Sequence, residues 1–172
     1  MKIFLIGLMS CGKTTLGKQL AKSLSIPFVD MDLEIEKSSN LTIPEIFSKY
    51  GETIFREMER DELRKIVASK EDMIISTGGG APCFHSNIDI MNVAGVTVFL
   101  DVSATEITKR LLASKNLQSR PLLAQKSKEE LFQYIDELMS NRIEIYRESK
   151  LTISHDAINL EMLMSRLDEM EE

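Results

Sequence analysis

Near the N-terminus, Gly7-Leu8-Met9-Ser10-Cys11-Gly12-Lys13-Thr14 follows the pattern G-x-x-x-x-G-K-[ST]. Glycines at its two ends let the backbone turn its N–H groups inward as a nest for anions, and a helix starting at the loop adds positive potential. In such a loop Lys13 reaches the β- and γ-phosphates of a nucleotide and the Thr14 hydroxyl ligates magnesium. Gly7, Ser10, Cys11, Gly12, Lys13, Thr14 and Thr15 are therefore the expected ATP contacts. Cys11 reads either as a small residue that fits the turn or as a thiol acidified by the helix N-terminus. A carboxylate is expected close to the metal. The apolar run 73–76 ends in Thr77 and glycines instead of an aspartate, so Asp30 and Asp32, after a shorter apolar run, are the best candidates. Alternation along an extended segment would point both to one side; the plainer reading is a pair of solvated acids at a helix start. Gly78-Gly79-Gly80 after a strand is entropically costly and argues for a close backbone contact over a merely flexible turn.

The elements that must hold these residues are legible. Residues 2–6 form a short apolar run suited to a buried parallel strand, and 13–24 carry apolar residues at helical spacing. Further strands are expected at 27–29, 73–76, 96–100 and 151–153. Helices are expected over 33–69, interrupted at Gly51, and at 104–113, 127–147 and 159–170. Thr42-Ile43-Pro44-Glu45 reads as a capping box with proline in the first turn, and Ser103 to Glu106 as a second box. Strands alternating with helices imply a parallel sheet covered on both faces: a three-layer α/β/α sandwich with five strands.

The chain has 172 residues, 43% of them hydrophobic, which suits one domain with a full core. No uncharged apolar run is long enough to span a membrane, and the apolar start leads into the Gly/Lys/Thr loop, not into a cleavage site. A net charge of −6 without a basic block argues against nucleic acid as a partner. Cys11 and Cys83 form neither a metal pattern nor a disulfide framework, and free thiols fit a reducing cytosol.

Beyond the phosphate loop, the sequence resembles shikimate kinases. The resemblance rests on Phe28-Val29-Asp30-Met31-Asp32, Ile43-Pro44-Glu45-Ile46-Phe47, Gly51-Glu52 with Phe55-Arg56 and Glu59, Gly78-Gly79-Gly80, Arg120-Pro121-Leu122-Leu123, and Arg142 with Tyr146, in order from residue 3 to about 150. It implies a P-loop fold of the nucleoside-monophosphate-kinase type. It also implies ATP- and Mg2+-dependent phosphorylation of the shikimate 3-hydroxyl, in the cytoplasm, on the path to aromatic amino acids. In that resemblance Arg56 and Arg142 hold the substrate carboxylate, for which a guanidinium fork is suited. Asp32 holds the reacting hydroxyl and draws off its proton, and Asp30 stands on the magnesium side with Thr14. Gly79 offers a backbone N–H to the substrate. Phe47 and Phe55 wall the ring, Glu59 orients Arg56, and Arg120 folds over ATP from a lid spanning about 112–126. Taken singly, Arg56 reads as a surface residue paired with Glu52 or Glu59, Phe47 and Phe55 as plain core, and Arg120 as an exposed loop cation. The resemblance further implies an acceptor-binding insertion at about 31–60 in one kinase domain over 1–172, acting as a monomer. Serine at position 10 stands where the family mostly has glycine, a cost of ~1 kcal/mol or more if φ is positive there. Arg110 and Lys115 are the cations left to meet adenine. The alternatives are another small P-loop kinase, such as a gluconate kinase, or a nucleotide-binding regulator without transfer activity.

Overall fold

The computed structural model describes residues 1–114, 123 and 125–170. Five parallel strands, β1 (Lys2–Ile6), β2 (Phe28–Asp30), β3 (Met73–Ser76), β4 (Val96–Asp101) and β5 (Leu151–Ser154), form a sheet in the order β2-β3-β1-β4-β5. The central strand β1 pairs with β3 through Lys2 opposite Met73 and with β4 through Ile3 opposite Val96. Its side chains from Ile3 to Ile6 are buried on both faces, as are Ile74, Ile75 and Val98–Leu100. That burial explains the near-continuous apolar runs, since a parallel sheet between helical layers has no solvent face.

Helix α1 (Lys13–Leu24) returns from β1, and α2 (Met31–Ser39) and α3 (Ile43–Ala68) follow β2. The Thr42 capping box is present in both halves, and α3 is broken at Gly51, where φ is 78°. Helix α4 (Asn87–Ala94) precedes β4, α5 (Ala104–Ala113) follows it, and α6 (Lys128–Tyr146) leads to β5. Helix α7 (Leu160–Asp168) closes the described chain. Leu41, Ile43 and Met58 pack on a small separate cluster of Ile35, Ile46 and Phe55, so α2 and the first half of α3 have a core of their own.

Three local expectations change. The second strand runs one residue later than expected and ends at Asp30, which makes Asp32 a first-turn residue of α2. Strand alternation therefore does not relate the two acids. Between 77 and 96 the sequence shows no periodic signal, yet the chain forms a 3-10 turn (Ala81–Cys83) and α4. At Ser103 only half of the capping box forms: its hydroxyl accepts from the Glu106 N–H, while the Glu106 carboxylate turns to Arg110 and Lys109.

Candidate active site

The phosphate loop leaves β1 at the point where the sheet order reverses, between β3 and β4, and opens α1, the place where open α/β sheets present ligand crevices. Gly7 has φ 135°, and a Cβ there would lie 2.9 Å from the Leu100 carbonyl oxygen and 3.1 Å from Cys11 Sγ, so only glycine fits. Ser10 takes φ 60°, a left-handed conformation without glycine's freedom. Cys11 is buried, and its place under Gly7 is that of a small packing residue. Lys13 is buried as well. Its Nζ donates to the carbonyls of Gly7 and Leu8, each at 2.8 Å, and lies 3.7 Å from Cys11 Sγ. The ammonium thus sits inside the curl of the loop, held by two of its carbonyls.

Thr14 and Thr15 begin α1 on its exposed side. Thr14 Oγ1 donates to Asp30 Oδ2 at 3.0 Å and lies 3.4 Å from Ser76 Oγ at the end of β3. Two hydroxyls and one carboxylate make a hard oxygen corner, which suits Mg2+: that ion keeps several waters and takes one or two carboxylates plus substrate phosphates. Among the described residues no group of three or more His, Cys, Asp or Glu could hold a metal by itself. No local pattern marks Ser76, since a serine at the end of an apolar run is an ordinary strand terminus.

A second cluster of the residues singled out in the sequence is assembled around the three glycines. Arg56 is buried on α3. Its Nη1 donates to Glu59 Oε2 at 2.6 Å, while Nε and Nη2 donate to Glu52 Oε1 at 3.1 and 2.8 Å. A Cβ on Gly80 would lie 2.4 Å from Arg56 Nη1, and one on Gly78 would lie 2.6 Å from Glu59 Oε1 and 2.8 Å from Asp32 Oδ1. Side chains of α2 and α3 therefore lie directly on the glycine turn. A Cβ on Gly79 would meet only ordinary contacts: Gly7 O at 3.4 Å, Arg142 Nη1 at 3.5 Å and Met9 N at 3.6 Å. A Cβ would be crowded most at 78 and 80, by the ends of the acid and arginine side chains. Phe55 is buried in the small cluster, and Phe47 packs against it at a tilt of 42° with ring centroids 4.6 Å apart while remaining partly exposed.

The electrostatics of this corner are uneven. Burial pushes the Glu59 carboxyl up to about 7, against the pull of the adjacent Arg56; nearby Asp32 pushes it up further, and Arg142 draws it down. Among the described residues Glu59 Oε1 has no hydrogen-bond partner. The buried Tyr146 donates its hydroxyl proton to the Gly79 carbonyl, and its own acidity is lowered chiefly by burial. Asn87, fully buried, donates from Nδ2 to the Ala81 carbonyl at 2.8 Å. The carbonyls on either side of Gly80 are thereby fixed from α6 and from α4. Burial also raises the Cys83 thiol pKa.

Arg110, a sequence candidate for adenine, is engaged by the protein. Its Nη1 donates to the carbonyls of Ser10 (3.2 Å) and Cys11 (3.1 Å), its Nε to Glu106 Oε1 (2.9 Å), and its Nη2 to the Asp156 carbonyl. It ties the phosphate loop to the segment after β5. Arg120, Lys115 and most of the lid expected at 112–126 lie outside the described residues; within that span Leu123 is part of the main core.

A phosphate loop leaves the central strand of a five-stranded parallel sheet at its topological switch point, beside the polar corner built by α2, α3 and the glycine turn; this fold defines the class of P-loop small-molecule kinases of the nucleoside-monophosphate-kinase type. A family profile for shikimate kinase matches residues 9–170. A shikimate kinase of Bacteroides fragilis is 45% identical over 157 residues, covering 91% of this chain and 86% of that protein. The solved structure of shikimate kinase from Bacteroides thetaiotaomicron superposes with a TM-score of 0.88 at 38% identity, covering 99% of this chain and 96% of that one. That of the Acinetobacter baumannii shikimate kinase, in complex with shikimate, gives 0.82 at 32% identity, covering 99% and 91%. The chain belongs to the shikimate kinase family, ATP-using kinases of aromatic amino-acid biosynthesis.

Proposed function

We propose that this chain transfers the γ-phosphoryl group of ATP directly to the 3-hydroxyl of shikimate, giving 3-phosphoshikimate and ADP. The observation that carries the reading is at Gly79, where the position of a Cβ is 3.4 Å from the Gly7 carbonyl of the phosphate loop and 3.5 Å from Arg142 Nη1 of the acceptor side. Phosphate loop and carboxylate-binding arginine meet across one residue, so donor and acceptor would be held at adjoining positions, which converts an encounter into an oriented reaction.

In this reading the loop N–H groups and Lys13 hold the phosphates, and Thr14 with Asp30, supported by Ser76, holds Mg2+. Bound there, Mg2+ would supply positive charge to offset that of the transferring phosphoryl group. Arg56 and Arg142 take the shikimate carboxylate, the Gly79 N–H and the Phe47–Phe55 wall orient the ring, and Asp32 faces the reacting hydroxyl. The hydroxyl oxygen forms its bond to the γ-phosphorus, the bond to the β-phosphate oxygen breaks, and the hydroxyl proton passes to Asp32. Arg120 is assigned the phosphate contact from the lid by resemblance alone. ATP as donor supports a cytosolic enzyme. No described helix is long and apolar enough to cross a membrane.

The test is ADP release with shikimate, gluconate, AMP or no acceptor, for wild type and Asp32→Asn. Release with shikimate alone is expected, and the variant should lose about 10²–10⁴-fold in kcat, the usual contribution of a general base. ATP affinity should be unchanged, because the loop is untouched. Near-normal kcat in Asp32→Asn would remove the acceptor assignment.

A further inference from the structure

Arg56 is held by more than its two glutamates. The Phe84 ring lies against its guanidinium, with Cζ 4.3 Å from the ring centroid, and Phe55 lies 5.2 Å away. Phe84 belongs to neither hydrophobic cluster and is only half-buried. Core packing therefore does not account for it. It is presented by an unusual backbone: the next two residues, His85 and Ser86, are both left-handed, with φ 54° and 53°, and neither is glycine. A side chain with a Cβ disfavours that region, so the turn is held against a local preference. The turn is bracketed by Asn87, whose N–H donates to the Phe84 carbonyl at 3.0 Å and whose side chain holds Ala81.

We propose that Phe84 is a positioning residue for the acceptor site: its ring, held by the strained His85–Ser86 turn, fixes the plane of the Arg56 guanidinium so that its remaining N–H edge is aimed at the carboxylate of the substrate. This rests on the reading of Arg56 as a carboxylate ligand. Glu52 occupies the Nε–Nη2 side of the fork and Glu59 one bond of Nη1, and Phe84 covers one face. What is left is an edge suited to a planar anion met in its own plane. Without the ring, the two glutamates still neutralise Arg56 but leave the guanidinium free to tilt, and a bidentate contact is sensitive to that tilt.

The experiment compares Phe84→Leu, which keeps apolar bulk, with Phe84→Tyr, which keeps the π-face, and uses Arg56→Lys as the control. Phe84→Leu is expected to raise KM for shikimate by roughly three- to tenfold, the range of a cation–π contact at a partly desolvated site. The kcat and the KM for ATP should stay within twofold, and Phe84→Tyr should restore the wild-type KM. Thermal melting reports the fold, and Phe84→Met serves as the non-aromatic variant if Phe84→Leu is destabilised. An unchanged KM in both non-aromatic variants, an equal rise in Phe84→Tyr, or a parallel rise in KM for ATP would overturn the proposal. If Arg56→Lys itself leaves KM for shikimate unchanged, the carboxylate reading of Arg56 falls. If Arg56→Lys raises it and the Phe84 variants do not, only the role of Phe84 falls.

Discussion

Glu59 is an unusual carboxyl: 1% exposed, bonded to Arg56 through one oxygen, and facing Asp32 of α2 and Arg142 of α6. Burial raises its pKa from the ordinary 4.5 to about 7, so the folded protein binds this proton more tightly than the unfolded chain does. The sign follows from linkage: stability from this group is complete below 4.5, falls as pH rises through the window from 4.5 to about 7, and is level above it. Glu59→Gln keeps an acceptor for Arg56 and removes the titration. Its unfolding free energy should fall less than that of wild type between those two pH values, by on the order of 3 kcal/mol. The KM for shikimate should lose a step near neutral pH. Denaturant melts across the pH series measure the first effect; parallel curves for the two proteins would mean that Glu59 does not titrate in that window. The chemistry of this residue was not legible in the chain. Its place three residues after Arg56 suggested an ion pair, but its burial and its nearness to Asp32 depend on how α2 and α3 fold onto the glycine turn.

The elements differ in how far local sequence accounts for them. The Thr42–Glu45 box starts α3 and Gly51 breaks it, as their residue types predict. Strands β1 and β3 follow from apolar runs of the right length. The 3-10 turn and α4 do not, because α4 is only eight residues long and is held by contacts distant in sequence, among them Asn92 to the Glu148 carbonyl at 2.9 Å. The phosphate loop carries a local conflict that the sequence did announce: serine at position 10, at φ 60°. Arg110 holds the Ser10 and Cys11 carbonyls and so over-determines this conformation. Ser10→Gly removes a left-handed penalty of ~1–2 kcal/mol and adds unfolded-state entropy worth ~0.5–1 kcal/mol. A net gain of about 0.5–1 kcal/mol in urea unfolding is expected, and a loss would mean that the serine is not strained.

For the whole molecule, the corner proposed for the acceptor joins parts that are far apart in the chain: α2 and α3, the 78–87 segment, and α6. Shikimate that binds only this assembly should stabilise the fold by mass action, by ~2.7 kcal/mol at a hundred times its Kd. The gain should be read as a rise in the thermal midpoint, and Arg56→Lys should forfeit most of it while retaining the gain from ATP. A midpoint unmoved by saturating shikimate in wild type would count against an acceptor site in this corner. The sequence by itself determined the phosphate loop, the strands and helices that frame it, and the family resemblance, because each is written in short runs whose spacing carries its own physical reason. Only the tertiary structure decided that Ser76 joins Thr14 and Asp30 in one oxygen corner, that Gly78 and Gly80 make room for Asp32, Glu59 and Arg56, and that Phe84 covers Arg56. Those contacts join residues from separate strands, helices and turns, and no local pattern of residue types encodes a distance that is closed by packing.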